Sequence, residues 1–378
     1  MIELGVVAGE ASGDLLGAHF IAALKLRHPQ LSAAGIAGTR MVEAGIEAIY
    51  HSDKLAVNGY VEVLRHLPEL LWIRSRITRY FLRERPHVFV GIDAPDFNFT
   101  LEEKLKRAGI PTVHFVSPSI WAWRGERIDH IRKAVSHMLV VFPFEEKIYR
   151  DAGIPVTYVG HPLADVIPLE PDTQTARNEL GLSTGQPVIA LLPGSRASEV
   201  ARHAPLMLAA AEEMRRIQPE LQFILPAANE AAAALVHTAL LQARVPVQVI
   251  AGQSHTALAA CDFALVASGT ATLEAALFKK PMVITYRVPK LTAVLMRRKA
   301  YLPWIGLPNI LAGRFVVPEL VQEEATPSAL AQEMLAWFAD PMRQHDAVEA
   351  FQDMHLSLRQ NASARIADAV LPYLEGRA

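Results

Sequence analysis

The chain has a single cysteine, Cys261, in 378 residues. This excludes an internal disulfide and any cysteine-based zinc site, and it suits a reducing compartment. Aromatic residues are scarce at 7%. The apolar share of 51% is therefore mostly Ala, Leu, Val and Ile, the residues of helices and of parallel strands buried on both faces. Net charge is nearly absent, since 37 Lys and Arg against 39 Asp and Glu leave −2. Such a chain has no global attraction for nucleic acid or anionic lipid, and no nucleic-acid-binding module is readable, so nucleic acid is not an expected partner. No run of about 20 apolar residues occurs; the longest uncharged stretches, 108–123 and 245–261, are broken by Pro, Gly, His or Gln. The opening MIELGVVAG lacks the basic and long apolar regions of a signal peptide. A cytoplasmic protein is expected. Its length exceeds one ordinary core, which points to two domains of about 150–200 residues.

Short apolar runs at 2–8, 32–37, 87–92, 111–117, 137–142 and 156–160 read as strands, followed by others at 187–193, 221–226, 246–250, 262–267 and 281–285. Helical patterns at 13–27, 98–109, 198–217, 229–243 and 270–278 alternate with them. Alternation of this kind predicts an α/β fold of two Rossmann-like, doubly wound parallel sheets. Pro, Gly and polar residues concentrate at 161–186, which sets the domains at 1–165 and 166–340. The rest, 341–378, reads as helices that either pack back on the first domain or exchange between subunits. In doubly wound sheets ligands bind beyond the carboxyl ends of the strands, so the strand-to-helix junctions and the cleft between the two domains are where chemistry is expected.

Five junctions stand out. Gly9-Glu10-Ala11-Ser12-Gly13-Asp14 is not a dinucleotide fingerprint, and Glu10 would repel a pyrophosphate; the loop suits a sugar hydroxyl or a cation, or Ser12 and Asp14 merely cap a helix. Gly91-Ile92-Asp93-Ala94-Pro95-Asp96-Phe97-Asn98 puts two carboxylates at the end of a buried strand. Asp93, nearest the strand, is the candidate general base, and Asp96 reads more simply as a helix cap. Trp121 and Trp123 in SPSIWAWR offer flat apolar surface for a sugar face, an acyl chain or plain packing. Gly194-Ser195-Arg196 opens a helix carrying Glu199, and Ser268-Gly269-Thr270 opens one carrying Thr272 and Glu274. Backbone N–H groups at both turns, with the fixed cation of Arg196, suit phosphate oxygens. Glu274 is placed to accept ribose hydroxyls, and together the two turns suggest a nucleoside diphosphate. The Walker Lys-Ser/Thr is missing, which argues against a P-loop NTPase.

Taken together, VAGEASGD, LAVNGYVEVL, VFVGIDAPDFN, HFVSPSIWAWR, PFEEKIY, VGHPLAD, LLPGSR, ASGTATLEAAL and LPNILAGR resemble the lipid-A-disaccharide synthase family. The resemblance runs from residue 7 to about 314 in family order. It implies a GT-B arrangement, with an acceptor-binding first domain and a UDP-sugar-binding second. The implied reaction moves 2,3-diacylglucosamine from UDP-2,3-diacylglucosamine to the 6-hydroxyl of 2,3-diacylglucosamine 1-phosphate. It inverts the anomeric centre and releases a β-1,6 disaccharide and UDP, a step of lipopolysaccharide synthesis in Gram-negative bacteria. Carried over residue by residue, Asp93 becomes the base and Arg196 the stabiliser of the departing diphosphate. Gly194, Ser195, Glu199, Ser268, Gly269, Thr270, Thr272 and Glu274 line the UDP site, with Asn309 and Arg314 reaching the cleft. Glu10 is grouped with the catalytic residues, and Ser12 and Asp14 with the acceptor. No cofactor or metal is implied, because Arg196 and the helix N-termini can replace a cation at the diphosphate.

Acylated substrates require an apolar surface. In segment 59–83, Tyr60, Val63, Leu64, Leu67, Leu70 and Leu71 share one helical stripe, by itself most simply a core face. Val61, Trp72 and Ile73 fall away from it, and Arg65, Arg74, Arg76, Arg79, Arg83 and Arg85 crowd the same region. With the resemblance, peripheral contact with the inner face of the cytoplasmic membrane becomes the better reading, and a second basic cluster, Arg297-Arg298-Lys299, could assist it. Oligomeric state is left open, a homodimer among the options. Rival readings are a UDP-GlcNAc epimerase, the glucosaminyltransferase of peptidoglycan synthesis, and a catalytically silent nucleotide-binding scaffold. GIDAPDFN and SPSIWAW argue against the first two, and intact Asp93, Arg196 and Glu274 against the third.

Overall fold

A computed structural model describes residues 2–9, 11–55, 60–290, 292–294 and 301–376, with backbone alone for 11 and 60–65. The chain forms two compact units, Met1–Asp165 with Leu358–Ala378, and Val166–Ser357. Glu10 and the 297–299 cluster lie outside the described residues, as do the side chains of Tyr60, Val61, Val63, Leu64 and Arg65.

The first unit holds β1 (Leu4–Ala8), β2 (Ala33–Ala37), β3 (Glu47–His51), β4 (Val88–Ile92), β5 (Thr112–Phe115), β6 (His137–Val140) and β7 (Val156–Tyr158). They form one parallel sheet in the order β3-β2-β1-β4-β5-β6-β7. The second holds β8 (Val188–Leu192), β9 (Gln222–Ala227), β10 (Gln248–Ala251), β11 (Phe263–Ala267), β12 (Met282–Tyr286) and β13 (Glu319–Val321), in the order β10-β9-β8-β11-β12-β13. Each sheet thus reverses its winding once, between β1 and β4 and between β8 and β11. That reversal opens a crevice at the carboxyl ends. The apolar runs fold this way because β1, β2, β4, β8 and β11 are buried along their whole length, which helices on both faces require. Strands β3 and β13 went unread in the sequence. Both are at sheet edges, and their residues are exposed or half-buried, so neither carries an apolar run.

The C-terminal stretch 341–378 is not one piece. Helix Pro341–Leu358 belongs almost wholly to the second unit, where Gln344 donates to the Trp337 carbonyl at 2.5 Å and Arg343 pairs with Glu333 at 3.0 Å. Helix Ala362–Leu374 returns to the first unit, burying Ile366, Ala367 and Val370. Its N-terminus is capped by the Asp165 carboxylate, which accepts from the Asn361 and Ala362 amides at 2.9 and 2.6 Å. Arg27 on helix α1 (Ala11–Arg27) ties it down through Asp368 at 2.8 Å.

Helix α3 (Tyr60–Glu84) corrects the stripe read as a core face. Ile73, Ile77 and Phe81 are buried, whereas Leu67 and Leu71 are 40% and 45% exposed and Trp72 53%. Helical phase does not explain this. Thr78, seven residues beyond Leu71 and on the same face, is buried. Packing partners run out along the helix axis, so Leu67, Leu71 and Trp72 lie over open solvent.

Asp14 on α1 is 6% exposed and its carboxylate accepts from the amides of Gly38, Arg40 and Met41 at 2.8, 3.0 and 3.1 Å. It caps helix α2 (Thr39–Glu43), whose own N-cap, Gly38, has no side chain to do so. The expectation that Asp14 meets the acceptor is corrected, because its oxygens are spent on the backbone. Replacing Asp14 with Ala is expected to destabilise this unit by about 2–4 kcal/mol, since three donors lose their partner. Amide hydrogen exchange at Gly38, Arg40 and Met41 should then accelerate; unchanged protection there would show that the carboxylate is not the cap.

Candidate functional site

In the first unit the junctions after β1 and β4 meet at the switch point. A Cβ on Gly9 would lie 2.4 Å from the Ala94 Cβ, so only glycine lets the two turns touch. Asp93 and Ala94 are both left-handed, at φ 52° and 45°, and Val116 after β5 is at φ 76°. A β-branched residue such as Val116 at positive φ is uncommon, and three non-glycine residues at positive φ at the ends of neighbouring strands mark stored backbone strain of the kind found at functional sites. The turn is held by its surroundings. The Asp93 amide donates to the Phe115 carbonyl at 2.9 Å, and the Asn98 side-chain amide donates to the Asp93 carbonyl at 2.8 Å. The Asp93 carboxylate itself is half-buried and none of these bonds uses it. Ser12 is exposed.

Beneath the turn, on helix α4 (Pro95–Arg107), Glu102 is fully buried and accepts from or donates to His114 Nδ1 at 2.8 Å. Burial pushes the Glu102 carboxyl above the usual range, while the imidazole beside it pulls the other way. Asp96 is no helix cap. Its side chain is 81% exposed and pairs with Arg127, and Arg74 donates to its carbonyl at 3.1 Å.

Beyond β5 and β6 an aromatic bay has formed. Trp121 is half-buried, edge-on to Phe142 and Phe144, and its indole N–H donates to Glu145 at 3.1 Å. The other Glu145 oxygen accepts from the Phe142 amide at 3.0 Å. His161 stacks on Phe142, with Nδ1 accepting the Leu163 amide at 3.2 Å. That bond leaves the ring proton on Nε2, and burial lowers its pKa to about 4. Trp123, by contrast, is exposed, with the Arg124 guanidinium 4.3 Å over its face. Glu145 and His161 went unassigned in the sequence, although both lie in motifs singled out there, PFEEKIY and VGHPLAD; only the fold carries them to Trp121.

In the second unit the turns after β8 and β11, again neighbours at the switch point, carry Gly194, Ser195 and Arg196, and Ser268, Gly269 and Thr270. Gly194 is at φ 110°, and a Cβ there would lie 2.6 Å from Glu199. Ser195 and Arg196 are exposed, the Arg196 side chain at 63%. Glu199 accepts from the Arg196 amide at 3.4 Å, capping the helix Ala197–Ile217. Gly269 and Thr270 are exposed, and Glu274 sits 3.5 Å from His255, a neighbour the sequence did not suggest.

Two expectations here are corrected. Thr272 is buried, its hydroxyl bonded to the Gly269 carbonyl and the Leu307 amide. Asn309 is buried with both ends of its amide used, on the Val317 carbonyl and Glu319 and on the Val316 and Val317 amides. Each fastens a loop. Arg314 is exposed and follows helix Leu307–Ala312. Arg314 lines a pocket with Asp340 and Met342, just past Trp337, whose indole donates to the Met282 carbonyl at the amino end of β12. Among the described residues no group of three His, Cys, Asp or Glu could hold a metal ion.

The family signature described as lipid-A-disaccharide synthetase matches residues 4–370. A lipid-A-disaccharide synthase from Thiobacillus denitrificans (strain ATCC 25259 / T1) is 71% identical over 370 residues, 98% of this chain and 99% of its own. Another from Methylobacillus flagellatus is 52% identical over 99% of this chain and all of its own. Among solved structures, a UDP-GlcNAc 2-epimerase from Neisseria meningitidis bound to UDP-GlcNAc superposes with TM-score 0.65 at 12% identity, covering both chains fully. MurG from Acinetobacter baumannii does so at TM-score 0.55 and 15% identity, over 97% of this chain and 98% of its own. At such identities these two show the fold alone.

Burial raises the Glu145 carboxyl to about 7, against the pull of the Phe142 amide, Ser117 and Trp121. The folded state therefore holds this proton more tightly than the unfolded one. Its stabilising contribution, of the order of 3 kcal/mol, is complete below an unfolded pKa near 4.5 and is lost as pH rises through 7. Trp121 emission should titrate with a midpoint near 7, and Glu145→Gln should abolish that step. A flat profile in the parent protein would refute it.

Proposed function

The chain belongs to the lipid-A-disaccharide synthetase family, and from that premise we propose how its residues divide the work. It is a glycosyltransferase that forms the lipid A disaccharide, and its substrates are a UDP-diacylglucosamine and a diacylglucosamine phosphate. In the finer reading these are UDP-2,3-diacylglucosamine and 2,3-diacylglucosamine 1-phosphate. Asp93 takes the proton from the acceptor 6-hydroxyl as its oxygen attacks the donor's anomeric carbon. The bond from that carbon to the diphosphate breaks, UDP leaves, and the configuration inverts. One displacement with one base needs no covalent enzyme intermediate.

The observation that carries this reading is the Asp93 turn: a carboxylate uncommitted to its own backbone, on a left-handed residue, at the switch point of a sheet. Support for the donor half comes from the second sheet's switch point. There Gly194, Ser195, Gly269 and Thr270 open two helices and Arg196 extends an unburied guanidinium, a combination that suits a leaving diphosphate. Glu199 acts by shaping that turn and Glu274 by accepting ribose hydroxyls.

For the membrane, Leu67, Leu71 and Trp72 supply an exposed apolar face, with Arg76 5.4 Å over the Trp72 ring. No helix among the described residues is long and apolar enough to cross a bilayer. An apolar face beside arginines supports peripheral docking on an anionic surface, the inner leaflet of the cytoplasmic membrane.

Asp93→Asn should lower kcat by at least 100-fold while UDP binding, measured by calorimetry, stays intact; near-parental turnover would reassign the base. The pair Leu71→Ser with Trp72→Asp should lose sedimentation with phosphatidylglycerol vesicles. Retained sedimentation would remove this face from the membrane contact.

A further inference from the structure

Near the Asp93 turn lies a cationic cluster that the transfer chemistry above does not use. Arg127 pairs with the exposed Asp96 carboxylate, and Arg74, from helix α3, donates Nη1 to the Asp96 carbonyl at 3.1 Å. Arg124 precedes Arg127 by one tight turn, closed by the Arg127 amide donating to the Arg124 carbonyl at 3.0 Å. Its guanidinium lies flat over Trp123 at 4.3 Å. Arg74 and Arg127, from two segments, thus meet at Asp96, and Arg124 sits one turn before Arg127. Among the described residues Asp96 is the sole carboxylate paired with any of them, through Arg127, while Arg74 and Arg124 pair with no described carboxylate. Like charges gathered in this way repel, and a surface that needs only solubility disperses them.

The arrangement is also built rather than random. Arg124 sits at φ 59°, a left-handed conformation uncommon outside glycine. Trp123 fixes the plane of its guanidinium, leaving N–H edges presented in a rigid fork. Arg74 is half-buried, where a guanidinium is less well hydrated than at open surface. Oriented guanidinium edges with excess positive charge match a phosphate monoester, which takes paired N–H donors on its oxygens.

We propose that Arg74, Arg124 and Arg127 form the subsite for the anomeric phosphate of the acceptor, rejecting acceptors that lack it. The inference rests on the function proposed above. Asp96, where Arg74 and Arg127 meet, follows Asp93 by three residues, and in the acceptor the 6-hydroxyl and the 1-phosphate flank a single pyranose ring. Held at its phosphate, that ring can present its hydroxyl to Asp93. Asp96 is then a positioning residue, holding Arg74 and Arg127 at a common edge.

The test uses the full chain and a short-acyl 2,3-diacylglucosamine 1-phosphate, soluble without vesicles, beside the same sugar without its phosphate. Disaccharide formation by the parent protein from the phosphorylated acceptor checks the underlying reading independently. In Arg124→Gln, KM for the phosphorylated acceptor should rise about 10- to 100-fold, as expected for a lost hydrogen bond to a charged group. KM for the UDP-sugar should not follow it, and the preference for the phosphorylated acceptor should fall towards one. Arg124→Lys should recover part of the preference, which a merely structural arginine would not predict. Should Arg124→Gln and the double variant Arg124→Gln, Arg127→Gln keep the parental preference, the subsite is refuted. That includes the case in which they lose only binding to phosphatidylglycerol vesicles, because the arginines would then read a lipid headgroup.

Discussion

Burial on both faces of the central strands is the constraint from which the rest follows. A parallel strand covered by helices on two sides admits few polar side chains, and β1, β4, β8 and β11 carry none. Chemistry is therefore pushed to the strand ends. Within each sheet it collects where the winding reverses, because there the helices diverge and leave a crevice. The two units repeat this solution with different fittings. The first places a carboxylate on a strained turn, and the second places backbone amides and a guanidinium at helix openings. In the roles proposed for them, a base and an anion cradle, these are the two devices that a direct glycosyl displacement from a diphosphate requires.

Polar residues that look alike in a motif have been put to different uses by their depth. Asp14, Thr272 and Asn309 sit in family-like stretches, yet all three are buried and satisfied by backbone groups. They hold loops in place. Asp93, Ser195, Arg196 and Thr270, also in such stretches, are exposed or half-exposed. The strain of the Asp93–Ala94 turn is supported by the same kind of fastening, through Asn98 and the close contact with Gly9. Rigid turns of this sort keep a reacting group from relaxing into solvent.

Much of this was legible in the residues. Buried strands announce themselves as apolar runs, and the helices between them by their period, so the two sheets and the switch-point turns follow from pattern alone. Edge strands β3 and β13 do not, since half-exposed strands need no apolar run. Glu145 and His161 were within motifs that drew notice, but nothing in spacing could bring them to Trp121 across three strands. Helix α3 shows the opposite failure. Its apolar stripe has the period of a core face, yet Leu67 and Leu71 are exposed, because periodicity reports which residues share a face without reporting whether anything covers it.

The sequence by itself determined the α/β class and the family, and its single cysteine excludes an internal disulfide, because these depend on local composition and on short motifs. Tertiary structure decided which polar side chains remain available and which are spent on backbone amides. It decided that Leu67, Leu71 and Trp72 face solvent, and that arginines from distant segments meet at Asp96. It also returned the last helix to the first unit. Each of these depends on which surfaces meet in three dimensions, and burial is a property of neighbours that no residue carries in its own identity.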